Sequence, residues 1–147
     1  MIDIDVSQLL QHDGNMMLLD KIITYDENSM IAEAIVHADG WFDDGKTVPA
    51  WLGIEYMAQT VAAHDGMMSK LAGKPNIMGF LLGTRHYQCD CDSIAVGLVL
   101  SIEVKRLVED QGLAVFDCHI TADGVDISAK INVYQPDSSI NKVIGVI

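Results

Sequence analysis

One carboxylate in this chain sits in surroundings that do not suit a charge. From Val48 to His64 the residues are apolar almost throughout, and Glu55, Gln59, Thr60 and His64 are the polar or ionisable exceptions. An ionised carboxylate buried among such neighbours costs several kcal/mol unless it is paired or reaches a cavity. The helical neighbours of Glu55 are Trp51, Leu52, Ala58 and Gln59, none of them cationic. A raised pKa is the expected result, and it suits a general acid or base working near neutral pH. The alternative is a structural ion pair with an Arg or Lys brought in by the fold.

Proton exchange of that kind needs a second group, and the histidines are the candidates. His12 lies in the turn-forming stretch His12-Asp13-Gly14-Asn15, where a side chain can be placed for function or can bond the turn backbone. His64 follows Glu55 by nine positions. At about 100° per residue that spacing puts it on the opposite side of a straight helix. His37 and His119 fall on strand positions beside the acids Asp39 and Asp117 and read as surface residues. His86 stands next to Arg85, a side chain that could meet a phosphate.

The elements that must hold these groups follow from periodicity. Val6, Leu9 and Leu10 fit one side of a short helix, and extended segments are expected over Met16–Tyr25 and Ser29–His37, separated by the polar break Asp26-Glu27-Asn28. Pro49 stands where a helix takes its first turn, and the helical pattern runs from Pro49 to Leu71 before Gly73 and Pro75 end it. A helix apolar on every side is a buried helix. Met57, Met67 and Met68 read as its core packing, with the lining of a tunnel as the alternative.

Strands are expected over Ile77–Cys89, then around Leu98, Leu100, Ile102 and Val104, whose alternation with Val99, Ser101, Glu103 and Lys105 is the clearest in the chain. Glu109-Asp110-Gln111-Gly112 turns that strand into Leu113–Thr121, and Asp123-Gly124 opens a last strand with Val125, Ile127, Ala129, Ile131 and Val133 on one face. The fold class is therefore α+β, an antiparallel sheet packed on one long helix. A single sheet covers only one side of such a helix. A second copy of the chain is the simplest cover for the other, so a dimer is expected.

With 147 residues, half of them apolar, the chain fits a single domain over 1–147, its core ending near 136 and a C-terminal tail following over 137–147. No apolar run is long enough for a membrane span and the N-terminus lacks the pattern of a secretory signal, so a cytoplasmic protein is expected. Cys89, Cys91 and Cys118 show no Cys-x-x-Cys spacing and read as reduced bystanders, with neither a disulfide framework nor a zinc site suggested. The 21 acids against 9 bases, a net charge of −12, argue against nucleic acid and acidic membranes as partners.

The stretch Pro49-Ala50-Trp51-Leu52-Gly53-Ile54-Glu55-Tyr56-Met57-Ala58-Gln59, with Gly40-Trp41-Phe42 before it, resembles the central helix of the beta-hydroxyacyl-ACP dehydratases, and the segment Leu10–Asp20 resembles the opening of that family's first strand. The chain is most similar to the small divergent branch of predicted 3-hydroxyacyl-ACP dehydratases associated with aryl polyene biosynthesis. The resemblance implies a hot-dog fold, a dimer with two sites at its interface, and dehydration of a 3-hydroxyacyl chain carried on phosphopantetheine, with no metal or bound cofactor. It also implies an acyl carrier protein as partner. A carrier of acidic character would dock on a local basic patch, for which Lys70, Lys74, Arg85, Lys105 and Arg106 are available.

In that family a helix carboxylate works with a loop histidine, and Glu55 matches the carboxylate. The family's Gly-His-Phe-Pro loop stands here as Gly40-Trp41-Phe42-Asp43, so the histidine is replaced by Trp41. Tryptophan does not exchange a proton at neutral pH. The expected catalytic pair is accordingly Glu55 with His12, and Ala50, Trp41, Gln59 and Arg85 are expected to bind substrate. The backbone N–H of Ala50, at the start of the helix, would hold the thioester oxygen as charge develops there. Two alternatives stay open: an acyl thioesterase, in which the carboxylate activates water, and a non-catalytic acyl-binding hot-dog subunit that completes a partner's dimer.

Overall fold

The computed structural model describes residues 5, 6, 9, 17–38, 45–73 and 80–134. The hairpin expected at the polar break forms first, from β1 (Lys21–Tyr25) and β2 (Ser29–Ile35). Its tip is fixed by Asp26, whose Oδ1 accepts the backbone N–H groups of Asn28 and Ser29, each at 2.8 Å. Those two donors hold the Asp26 carboxyl below the usual range. After β3 (Thr47–Pro49) and one 3₁₀ turn (Ala50–Leu52) comes α1 (Gly53–Leu71). The remaining strands are β4 (Phe80–Cys89), β5 (Ser93–Ala95), β6 (Val99–Asp110), β7 (Leu113–Ala122) and β8 (Val125–Tyr134).

Six of these strands form one antiparallel sheet in the order β1-β2-β6-β7-β8-β4, and β3 pairs with β5 separately. The period-two pattern decides its inner face. Leu100, Ile102 and Val104 of β6, Ala114, Phe116, Cys118 and Ile120 of β7, and Val125, Ile127, Ala129 and Ile131 of β8 are all buried. The helix packs on that face against β2, β6, β7 and β8. This is the α+β hot-dog arrangement. Among the described residues no helix is long and apolar enough to cross a membrane.

Two boundaries differ from the sequence pattern. Pro49 closes a strand in an extended conformation (φ −62°, ψ 143°), and the 3₁₀ turn that follows moves the start of the α-helix to Gly53. The β6–β7 turn is also tighter than expected, because Glu109 and Asp110 still pair with Ala114 and Leu113. The helix, apolar on every side in sequence, is buried on the sheet side. Ile54, Glu55, Ala58, Ala62, Asp65 and Ser69 form a half-buried stripe on another. Their spacing of about four residues is that of one helix face.

His64 closes the far end of the core. It is buried, its Nε2 lies 3.0 Å from the Asp26 carbonyl oxygen, and its ring meets Phe116 edge-on at 6.0 Å. A carbonyl only accepts, so the neutral ring carries its proton on Nε2. Burial lowers the His64 pKa from its ordinary 6.5, outweighing the Asp26 carbonyl, and the nearby Arg106 lowers it further. The unfolded chain therefore binds a proton at this site before the folded chain does. Its contribution to stability is fully present above 6.5 and is lost as pH falls through the folded value. Urea denaturation at about pH 7.5 and about pH 5.5 should show a lower midpoint at the acid value, and His64→Gln, which retains an N–H donor for Asp26, should flatten that difference. An equal fall in midpoint in both proteins would rule His64 out as the titrating group.

Candidate functional site

The start of α1 is built from three directions. The Ala50 N–H donates to the Asp92 carbonyl oxygen at 3.3 Å, and the Ala50 carbonyl accepts the Tyr87 hydroxyl at 2.5 Å. The expected open donor at Ala50 is thus engaged within the fold, by a long bond. The reason is the 3₁₀ turn: Ala50 leaves a strand paired with β5 rather than opening a free helix terminus. Tyr87 approaches so closely that a Cβ on Gly53 would lie 2.7 Å from its hydroxyl and 3.3 Å from Ile127 Cδ1. Glycine at 53 is what lets the helix and β4 meet there. Burial pushes the Tyr87 hydroxyl up to about 12, so it serves as a neutral donor.

Tyr87 reaches inward because β4 carries an extra residue. Thr84 pairs with Ile131 and Cys89 with Ile127, so five steps on β4 oppose four on β8. The register shifts between Arg85 and Gln88, and His86 sits in the left-handed region at φ 54°. A bulge of this kind re-aims the side chains that follow it. Arg85 and His86 are both exposed, and Arg85 pairs with Lys130 on the sheet face away from α1. The structure therefore does not bring Arg85 to the helix that carries Glu55.

Glu55 lies in the first turn of α1 and is half-buried, not enclosed. Its Oε1 accepts a hydrogen bond from Gln59 Nε2 at 3.1 Å, one helical turn on. Gln59 is 1% exposed, and its Oε1 accepts the backbone N–H of Leu18 at 2.8 Å. This second bond fixes which way the amide points. An oxygen committed to an N–H donor leaves the NH₂ end facing the carboxylate. Gln59, expected to touch substrate, thus links Glu55 to the segment that precedes β1. Sequence reasoning did not anticipate Leu18, and no side-chain signal could have revealed it, since its contribution is a backbone N–H.

The histidines are distributed differently. His64 is turned to the Asp26 carbonyl, as its spacing from Glu55 predicts. His119 is exposed and bonded to Asp126 at 2.6 Å, not to Asp117, which faces Lys130 at 3.7 Å. His37 is exposed just past β2. His12 and Trp41 lie outside the described residues. Of the expected basic patch, Arg106 is engaged with Glu109, the Glu27 carbonyl and Asn28 Oδ1.

Comparison with known proteins identifies the family and the fold. Residues 4–145 match the ApeP-like family, described as ApeP dehydratase. The dehydratase heterocomplex ApeI:P from Xenorhabdus doucetiae superposes with a TM-score of 0.84 at 25% identity, covering 98% of this chain and 99% of that one. A hypothetical thioesterase with coenzyme A from Streptococcus pneumoniae TIGR4 (TM-score 0.60, 11% identity, 78% of this chain and 86% of that one) shares the fold. So does the E. coli PaaI protein from the phenylacetic acid degradation operon (TM-score 0.58, 11% identity, 78% and 81%). No curated protein sequence is matched.

Proposed function

Since this chain belongs to the ApeP-like dehydratase family, we propose that it dehydrates 3-hydroxyacyl thioesters carried on acyl carrier protein in aryl polyene biosynthesis, with Glu55 and His12 exchanging the protons. The observation that carries the reading is the chain of bonds Leu18 N–H to Gln59 to Glu55. It ties the helix carboxylate to the segment leading from His12, which stands six positions before Leu18. Glu55 then takes the proton beside the thioester carbonyl, the double bond forms as the β-hydroxyl departs, and His12 supplies the proton that makes it water. Trp41 lies against the acyl chain in this reading.

The working unit in this reading is a dimer, with a second copy or with a different hot-dog subunit, and the similar ApeI:P is itself a heterocomplex. Two features support that partner. β4 ends the sheet with no further strand beyond it among the described residues, and the half-buried stripe through Ile54, Glu55, Ala58 and Ala62 runs along the helix face away from the core. Covering both in one step would place the Glu55 site at the interface.

The test is mass spectrometry of a 3-hydroxyacyl carrier protein incubated with the pure chain, alone and with a second hot-dog subunit. Loss of water is the expected result. Release of free acid and thiol would replace the dehydratase by a thioesterase. No turnover in either form would leave an acyl-binding subunit, consistent with Trp41 where the related dehydratases hold histidine.

A further inference from the structure

We propose that Cys89, Asp90 and Cys91 form a binding site for a thiophilic divalent cation of the zinc class. In sequence the two cysteines lack the usual metal-binding spacing, but the end of β4 brings their side chains together. The thiol sulfurs lie 3.4 Å apart, and both come within 4.8 Å of a carboxylate oxygen of Asp90. Tetrahedral zinc with bonds of about 2.3 Å to sulfur needs two sulfurs about 3.8 Å apart, so the thiols need a few tenths of an ångström of adjustment, while the Asp90 oxygen must come to about 3.6 Å from each sulfur, a movement of up to about 1.2 Å. Two thiolates, one carboxylate and a water complete four-coordination with ligand types zinc accepts.

The frame that carries these ligands is fixed. The β4 bulge at His86 is what turns Cys89 to the inner side, opposite Ile127. Asp90 is held on both sides by Asp126: its N–H donates to the Asp126 carbonyl at 3.4 Å, and its Oδ1 accepts the Asp126 N–H at 3.0 Å. Cys89 and Cys91 are partly exposed and Asp90 is exposed, so an ion has a path to all three. With Asp92 adjacent and a net charge of −12, the surroundings attract cations.

Binding forms two metal–sulfur bonds in place of two S–H bonds, so the two thiol protons go to solvent for each cation taken up. The site also adjoins the start of α1, since Asp92 accepts the Ala50 N–H and Tyr87 donates to the Ala50 carbonyl. A bound cation would brace that turn.

The experiment is a Co²⁺ titration of the full chain, reduced and stripped of metal, read by thiolate-to-cobalt absorption in the near ultraviolet. One equivalent should give the band and Zn²⁺ should bleach it. Cys89→Ser and Cys91→Ser should each abolish it, Asp90→Asn should weaken binding about tenfold or more, and Cys118→Ala, at a buried position remote in sequence, should leave it unchanged. Because a variant can fail by misfolding, Zn²⁺ protection of the wild-type thiols from an aromatic disulfide reagent is measured beside it. Two protected thiols of three support the site. No band at one equivalent, a band that survives Cys91→Ser, or thiols indifferent to Zn²⁺ would overturn it. None of these readouts depends on turnover, so the site stands or falls separately from the dehydratase reading.

Discussion

On the proposed mechanism, Glu55→Gln should lower dehydration by about 10²- to 10⁴-fold, the range a positioned acid–base group contributes, while leaving stability within about 1 kcal/mol of wild type. The two halves of this expectation come from different observations. Glu55 is half-buried and receives a donor from Gln59, so an amide of the same shape can accept that bond through its own oxygen. What it cannot do is take a proton. Gln59→Leu separates position from chemistry: it leaves the carboxylate but removes both the donor to Glu55 and the acceptor for Leu18. Its turnover should fall less than that of Glu55→Gln, and the half-buried Leu18 N–H left without its partner should cost about 1 kcal/mol. Steady-state kinetics beside urea denaturation of both variants checks the pair. Full activity in Glu55→Gln would remove the carboxylate from the mechanism.

What could be read from the sequence was what depends on repeating side chains. β6 and β8 followed from alternation because every second residue is apolar and the sheet has one covered face. The hairpins at Asp26–Asn28 and Asp123-Gly124 followed from turn chemistry that acts over a few residues. The pattern lost its hold where the backbone departs from a regular period. On β4 the extra residue at His86 reverses which side chains face inward, so the positions of Tyr87 and Cys89 could not be obtained by counting along the strand. β3 and β5 are three residues each, too short for alternation to register. At the site, Glu55 announced itself as a charge among apolar residues, and His64 was placed opposite it by helical angle alone. The group that orients Gln59 was illegible because it is the main chain of Leu18, which any residue but proline would supply at that point.

Gly66→Ala should be the most damaging small substitution in the helix, destabilising by about 1–3 kcal/mol where an exposed helical position would gain about 1 kcal/mol from the same change. The intrinsic preference of the helix for alanine is overridden by what faces it. A Cβ built on Gly66 would lie 2.3 Å from the Leu9 carbonyl oxygen and 3.1 Å from the Leu9 carbonyl carbon and Cα. These are backbone atoms and have no rotamer by which to withdraw. Either the helix shifts off the sheet or the N-terminal segment lifts away, and Leu9, 1% exposed and bonded through its N–H to the Val6 carbonyl at 2.9 Å, leaves the core with Val6. That segment continues to His12, so the dehydratase reading adds a second consequence: folded Gly66→Ala should turn over more slowly than wild type although the substitution lies three helical turns from Glu55. Because the obstruction is main chain, Leu9→Ala offers no relief, and the double variant should be at least as unstable as Gly66→Ala. Recovery in the double variant would show that the Leu9 side chain, not its carbonyl, sets the approach of the two segments.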